Sequence, residues 1–258
     1  MSRFESAGVE IALDDIGPRQ PRSTIVLIHG FASNRRENWQ RLGWYGAFER
    51  KAIRAVALDC RGHGESGKPL DPSAYSRDAM VGDVLALMDH LGIEHTDLMG
   101  YSMGARIALA AALKSPDRFG HVVLGGVGER LFEPPRADRG MAEAMEAEDP
   151  DSIVDSLLRS FRYFADELRE NRLALAALSR ASLRFVDDDD MRVACGNLRL
   201  PVLVVAGARD TLAGDPEPLA QAFPNGRAVT LPGCDHFSAI PHGLFKAAVF
   251  DFLADDLE

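Results

Sequence analysis

The pentapeptide Gly100-Tyr101-Ser102-Met103-Gly104 sets one serine between two glycines, after the apolar run Thr96 to Met99 and before a helical stretch, Arg106 to Lys114. A serine hydroxyl attacks a carbonyl only if it is raised from the surface, has a base to take its proton, and faces donors for the oxyanion that forms. A strand, tight turn and helix in this order supply the first condition. A turn that sharp leaves no room for side chains at the two glycines and holds Ser102 in a strained backbone geometry. By itself the pentapeptide also reads as a plain turn, because glycine and serine are ordinary turn residues.

Two distant positions answer the remaining conditions. The run Pro201 to Val205 leads into Ala206-Gly207-Ala208-Arg209-Asp210, so Asp210 falls at the C-terminal edge of a strand, where α/β sites are built. After Ala228 to Leu231, Cys234-Asp235-His236-Phe237 sets a histidine in a loop. The chain order Ser102, Asp210, His236 is the order that accompanies a G-x-S-x-G elbow. Among the other histidines, His242 follows Pro241 and lies too far beyond the strand, while His29, His63, His90, His95 and His121 suit structural roles. Asp235 adjoins the base but points away along an extended loop, Asp215 sits beside a proline, and Asp59 enters a glycine loop whose backbone N–H groups a carboxylate commonly holds.

The elements that must position these residues follow from apolar patterning. Thr24 to Ile28, Ala55 to Leu58, His121 to Leu124 and Pro201 to Val205 are short, branched runs of the kind buried in a parallel sheet. Helical stretches, notably Asp78 to Leu91 and Met103 to Lys114, lie between them. The alternation predicts an α/β fold, a mostly parallel central sheet with helices on both faces. From about Gly128 to Leu198 strand-like runs vanish and Glu, Ala, Leu and Arg dominate. The expected organisation is a core of residues 1–127 and 199–258 with a helical cap of residues 128–198. Phe161, Tyr163 and Phe164 of that cap are candidates to line a ligand pocket, although aromatics at helical spacing also serve as plain packing. Asp187 to Asp190 reads as a solvated loop, because calcium would need the alternating ligand spacing this run lacks.

Composition excludes several function classes. With 29 lysines and arginines against 39 aspartates and glutamates, the 258-residue chain carries a net charge of -10, which argues against nucleic-acid or anionic-membrane partners and suits a neutral or cationic small molecule. No segment approaches the roughly eighteen apolar residues of a membrane span, and the first residues lack an apolar leader region, so a soluble cytoplasmic protein is expected. Cys60, Cys195 and Cys234 are odd in number and far apart, as reduced thiols would be. Gly62 to Pro69 matches the first seven places of a phosphate-binding loop, but Pro69 stands where magnesium binding requires a hydroxyl. Gly126-Val127-Gly128 lacks the third glycine of a dinucleotide fingerprint, and no H-E-x-x-H is present for zinc, so neither cofactor nor metal is expected. Nothing in the composition sets an oligomeric state.

Besides the elbow and its two partners, His29-Gly30-Phe31 follows the first strong strand and Asp59-Cys60-Arg61-Gly62-His63-Gly64-Glu65-Ser66 follows the next. Taken together, over nearly the whole chain, these segments resemble the serine-hydrolase branch of the α/β-hydrolase superfamily with a helical cap. The one departure is Ala105, where many relatives have a third glycine. The resemblance implies Ser102 as nucleophile, His236 as base, Asp210 as acid, and the backbone N–H groups of Phe31 and Met103 as oxyanion donors. Serine at the elbow argues against dehalogenases and epoxide hydrolases of the superfamily, which use a carboxylate nucleophile. A carboxylesterase acting on small acyl esters is expected. Lactonase, carbon–carbon bond hydrolase and cofactor-free perhydrolase chemistry would use the same three residues. From another class, a small-ligand binding protein on a hydrolase scaffold remains the competing reading.

Overall fold

Strands in the chain occupy Ser2–Ser6 (β1), Val9–Ile16 (β2), Ser23–Ile28 (β3), Ile53–Leu58 (β4), Thr96–Tyr101 (β5), Phe119–Gly125 (β6), Val202–Gly207 (β7) and Gly226–Leu231 (β8). They form one eight-stranded sheet in the order β1-β2-β4-β3-β5-β6-β7-β8. This is a computed structural model, and it describes residues 2–133, 140–181 and 188–254. Strands β3 to β8 run parallel, and β1 and β2 join antiparallel at the β4 edge.

Side chains alternate across β3, so Val26 and Ile28 enter one core while Ile25 and Leu27 enter the other. The first core is closed by Arg77–His90 (a helix that follows Trp44–Arg50, so the two are α2 and α1) and by Met103–Lys114 (α3). The second is closed by α1, through Trp44 and Phe48, and by the C-terminal helix Gly243–Phe252, through Phe245, Val249 and Phe252. Burial on both faces explains why the inner parallel strands β3, β4, β6 and β7 contain unbroken apolar runs. The β1–β2 hairpin turns at Ala7 and Gly8, both with positive φ. Its strands went unmarked by those runs because they are half exposed and carry Glu5, Glu10, Asp14 and Asp15.

Between β6 and β7 the described residues form helices Met141–Glu146 (α4), Ser156–Glu167 (α5), Arg172–Arg180 (α6) and Asp188–Asn197 (α7) and no strand. Asp155 caps α5 by accepting from Leu157 and Leu158 N–H, and Asn171 caps α6 through Ala174 N–H. This helical insertion owns a small core of Met145, Phe161, Ala165, Leu175 and Ala176, into which Ala32 of the loop after β3 also packs. The predicted loop at Asp187 to Asp190 is corrected in part. Asp187 lies outside the described residues, whereas the backbone from Asp188 onward is helical. A run of like charges carries no information on backbone conformation, so charge density alone could not separate loop from helix here.

Candidate active site

Ser102 is the residue between β5 and α3, with φ +54° and ψ −112°. Its neighbours are glycine for steric reasons that can be measured. A Cβ on Gly100 would fall 2.1 Å from the Gly104 carbonyl oxygen, and one on Gly104 would fall 2.1 Å from the Ile28 carbonyl oxygen. The elbow therefore brings β5, α3 and β3 into backbone contact, and Ser102 N–H is held by Gly125 O at 2.7 Å.

Asp210 follows β7 by three residues, and its side chain is fully buried. Its Oδ1 accepts from the backbone N–H groups of Leu212 and Ala213, each at 3.0 Å, which leaves Oδ2 directed at the imidazole. His236 stands in the loop after β8. With the ring neutral, Nδ1–H donates to Asp210 Oδ2 at 2.8 Å, and Nε2 accepts the Ser102 hydroxyl at 2.9 Å. The Tyr101 hydroxyl donates to the His236 carbonyl and fixes this loop from below. Burial, with the charge of Asp210 nearby, raises the Tyr101 phenol well above its ordinary range, so it stays a neutral donor.

The rival residues are engaged elsewhere. The Asp235 carboxylate accepts from Ser238 Oγ at 2.6 Å and Ser238 N–H at 2.9 Å, bonds that lower its pKa and turn it from the ring. His242 accepts from Leu244 N–H at 3.3 Å and caps the C-terminal helix, and Asp215 accepts from Glu217 N–H. Asp59 holds the backbone N–H groups of Arg35 at 2.8 Å and Glu65 at 2.7 Å and pairs with the buried Arg35 guanidinium. Desolvation lowers His29 to about 4 and His63 to about 3. Both are neutral scaffolding, their Nε2 atoms accepting from Cys60 N–H and Ala32 N–H. Lys68, in the segment that mimics a phosphate loop, donates to the Gly64 and Ser66 carbonyls at 2.6 and 2.8 Å.

Ser102 and His236 open into a cavity of about 520 Å³. Phe161, Tyr163 and Phe164 all line it, on the face of α5 that also presents Ser160 and Glu167. Tyr163 stands at the rim, where its hydroxyl donates to Asp151. Gly30 and Phe31 form the wall beside the serine, the Gly30 hydrogen side lying against Ser102 Cβ and the Tyr101 carbonyl. Met103 opens α3 and is buried; among the described residues neither its N–H nor that of Phe31 donates to a protein acceptor. Sequence reasoning missed Phe237, whose ring packs on His236 at 5.8 Å, Phe161 at 5.6 Å and Phe164 at 5.8 Å. It also missed Asn38, which accepts from Gly30 N–H at 2.9 Å. Adjacency to His236 was the signal available for Phe237; Asn38 offered none.

Fold and site together define a serine hydrolase, with a Ser-His-Asp triad at the C-terminal edge of a mostly parallel sheet. Residues 23–185 match the family model described as alpha/beta hydrolase fold, and the chain belongs to that family. It is 30% identical over 269 residues to 2-hydroxymuconate semialdehyde hydrolase from Pseudomonas sp. (strain CF600), spanning 97% of this chain and 92% of that one. Among solved structures it is similar to a hydrolase from Pseudomonas aeruginosa PA01, with a TM-score of 0.80 and 26% identity over 98% of this chain and 97% of the other. It is likewise similar to the enol-lactonase from Burkholderia xenovorans LB400, with a TM-score of 0.79 and 25% identity over 98% of this chain and all of that one, 100%.

Proposed function

We propose that the protein hydrolyses small carboxylic esters through an acyl-enzyme on Ser102. The observation that carries this reading is the unbroken bond series from Ser102 Oγ through His236 to Asp210 at the floor of a cavity. In this reading His236 Nε2 takes the hydroxyl proton as Oγ attacks the carbonyl carbon, then returns it to the leaving alcohol. Asp210 keeps Nδ1 protonated and stabilises the imidazolium. The Phe31 and Met103 N–H groups receive the oxyanion, and the N-terminus of α3 adds its positive end at Met103. Water deacylates the enzyme by the same proton transfers. No metal or organic cofactor has a part in this chemistry.

Phe161, Phe164 and Phe237 are proposed to hold the apolar part of the substrate, with Tyr163 at the entrance. Residues 128–198 are proposed as the cap over a core of residues 1–127 and 199–258. Among the described residues no helix is long and apolar enough to cross a membrane. Cys60, Cys195 and Cys234 are buried free thiols, and burial raises the first well above its ordinary value and the second to about 12. A cytoplasmic location is proposed, with which unpaired cysteines agree.

The deciding experiment is intact-mass analysis after a fluorophosphonate, with turnover of a short p-nitrophenyl ester. One adduct mapped to the Ser102 peptide and steady turnover are expected. No adduct and no turnover, with a thermal shift on binding an apolar ligand, would replace the enzyme by a binding protein. A second reading, lactone opening by the same triad, is favoured by the similarity to the enol-lactonase; a panel of lactones beside open-chain esters of equal size separates the two.

A further inference from the structure

Glu170, between α5 and α6, is 8% exposed, and no step of the chemistry above uses it. An ionised carboxylate is costly to bury unless hydrogen bonds replace its water. Both oxygens of Glu170 are so occupied, by two different core loops. Oε1 accepts from Asn34 Nδ2 at 3.0 Å in the loop after β3, and Oε2 accepts from Gly64 N–H at 2.8 Å in the loop after β4.

From these two contacts the bonds run inward to a single peptide. The Asn34 carbonyl accepts from Asn38 N–H at 3.0 Å, and Asn38 Oδ1 accepts from Gly30 N–H at 2.9 Å. On the other side, Ala32 N–H donates at 3.2 Å to Nε2 of His63, the residue preceding Gly64. The N–H groups before and after Phe31 are thus both clamped, whereas the Phe31 N–H donates to no acceptor among the described residues and Phe31 lines the cavity. Apolar contacts follow the same route, since Ala32 packs into the small core of the insertion and the Phe31 ring meets Phe161 at 5.9 Å.

We propose that Glu170 is a positioning residue that ties the helical insertion to the two loops aiming the Phe31 N–H, so the oxyanion donor is set only while the insertion is docked. The inference rests on the serine-hydrolase reading above. A carboxylate alone can accept from both partners, because Asn34 Nδ2 and Gly64 N–H are both donors. Glutamine offers one oxygen and turns its own N–H₂ toward the second donor, and protonation has the same effect. Burial raises the Glu170 carboxyl above its ordinary range, against the pull of its two hydrogen bonds; of the charges around it, Asp59 adds to the rise and Lys68 opposes it.

Steady-state kinetics on a short p-nitrophenyl ester from pH 5 to 8 test the proposal, with fluorophosphonate labelling as the check on Ser102. E170Q is expected to lower kcat roughly ten- to a hundredfold, the scale of a misplaced oxyanion donor, with KM within about twofold. The part of the acid limb of kcat that follows the raised Glu170 carboxyl is lost in E170Q. N34A, which keeps the Glu170 carboxyl and so its ionisation, gives the same loss of kcat should E170Q not fold, and in N34A/E170Q the losses do not multiply. Wild-type kcat in either variant, an unchanged acid limb in E170Q, or losses that multiply, overturn the proposal. If the wild type itself neither labels nor turns over, the serine-hydrolase reading falls and takes this inference with it.

Discussion

With φ at +54°, Ser102 occupies backbone space that costs on the order of 1–3 kcal/mol for a residue carrying a Cβ. The strain is held by the packing of β5 and α3, and its return is a hydroxyl presented to Nε2 of His236. Ser102→Ala is therefore expected to fold normally and to lower kcat on the order of a millionfold, read by p-nitrophenyl ester turnover. Retention of more than a few per cent would remove Ser102 as nucleophile. Asp210→Asn separates charge and tautomer from shape. Its retained oxygen still accepts from Leu212 and Ala213 N–H, but an amide N–H₂ then meets Nδ1 and forces the proton onto Nε2, where it blocks the serine. The expected loss is on the order of ten-thousandfold in kcat with unfolding unchanged. A larger loss of rate for Asp59→Asn would reassign the acid.

The elbow is built from three elements, and the glycines are where they touch. Gly104→Ala drives a Cβ into the Ile28 carbonyl oxygen, a backbone atom in the middle of the sheet that has no direction in which to yield. Urea unfolding should show a loss of several kcal/mol or no folded protein. Gly82 in the interior of α2 is the contrast, since a Cβ there meets nothing within 4 Å. Gly82→Ala should raise stability by about 0.5–1 kcal/mol through helix propensity and a less flexible unfolded chain. Equal effects at the two positions would disprove the steric account. Strands β3, β4, β6 and β7 were legible because parallel strands buried on both faces must be largely apolar. The β1–β2 hairpin was not, because a half-exposed edge pair mixes charge with apolar residues in a pattern that only pairing with β4 makes regular.

At the scale of the molecule, two buried histidines make stability depend on acid. His29 titrates at about 4 and His63 at about 3 in the folded state, against 6.5 in an unfolded chain. The unfolded chain binds more protons as pH falls below about 6.5, so stability is full above that value and falls toward pH 4 by several kcal/mol. The urea midpoint should drop accordingly between pH 7 and 4.5. His63→Gln, which keeps an acceptor near Ala32 N–H without titrating, should flatten the fall; an unchanged slope would place its cause elsewhere. The same global packing decides the site. The amino-acid sequence by itself determined the kind of chemistry and the order of its parts, because a strand-turn-helix elbow and residues at strand ends obey steric rules that act within a few residues. Only tertiary structure decided that Ser102 and His236, 134 residues apart, lie 2.9 Å from each other, that Phe237 closes the aromatic wall, and that Glu170 accepts from both Asn34 and Gly64. Those relations are made by side chains from distant segments sharing one space, and no local pattern encodes which segments will meet.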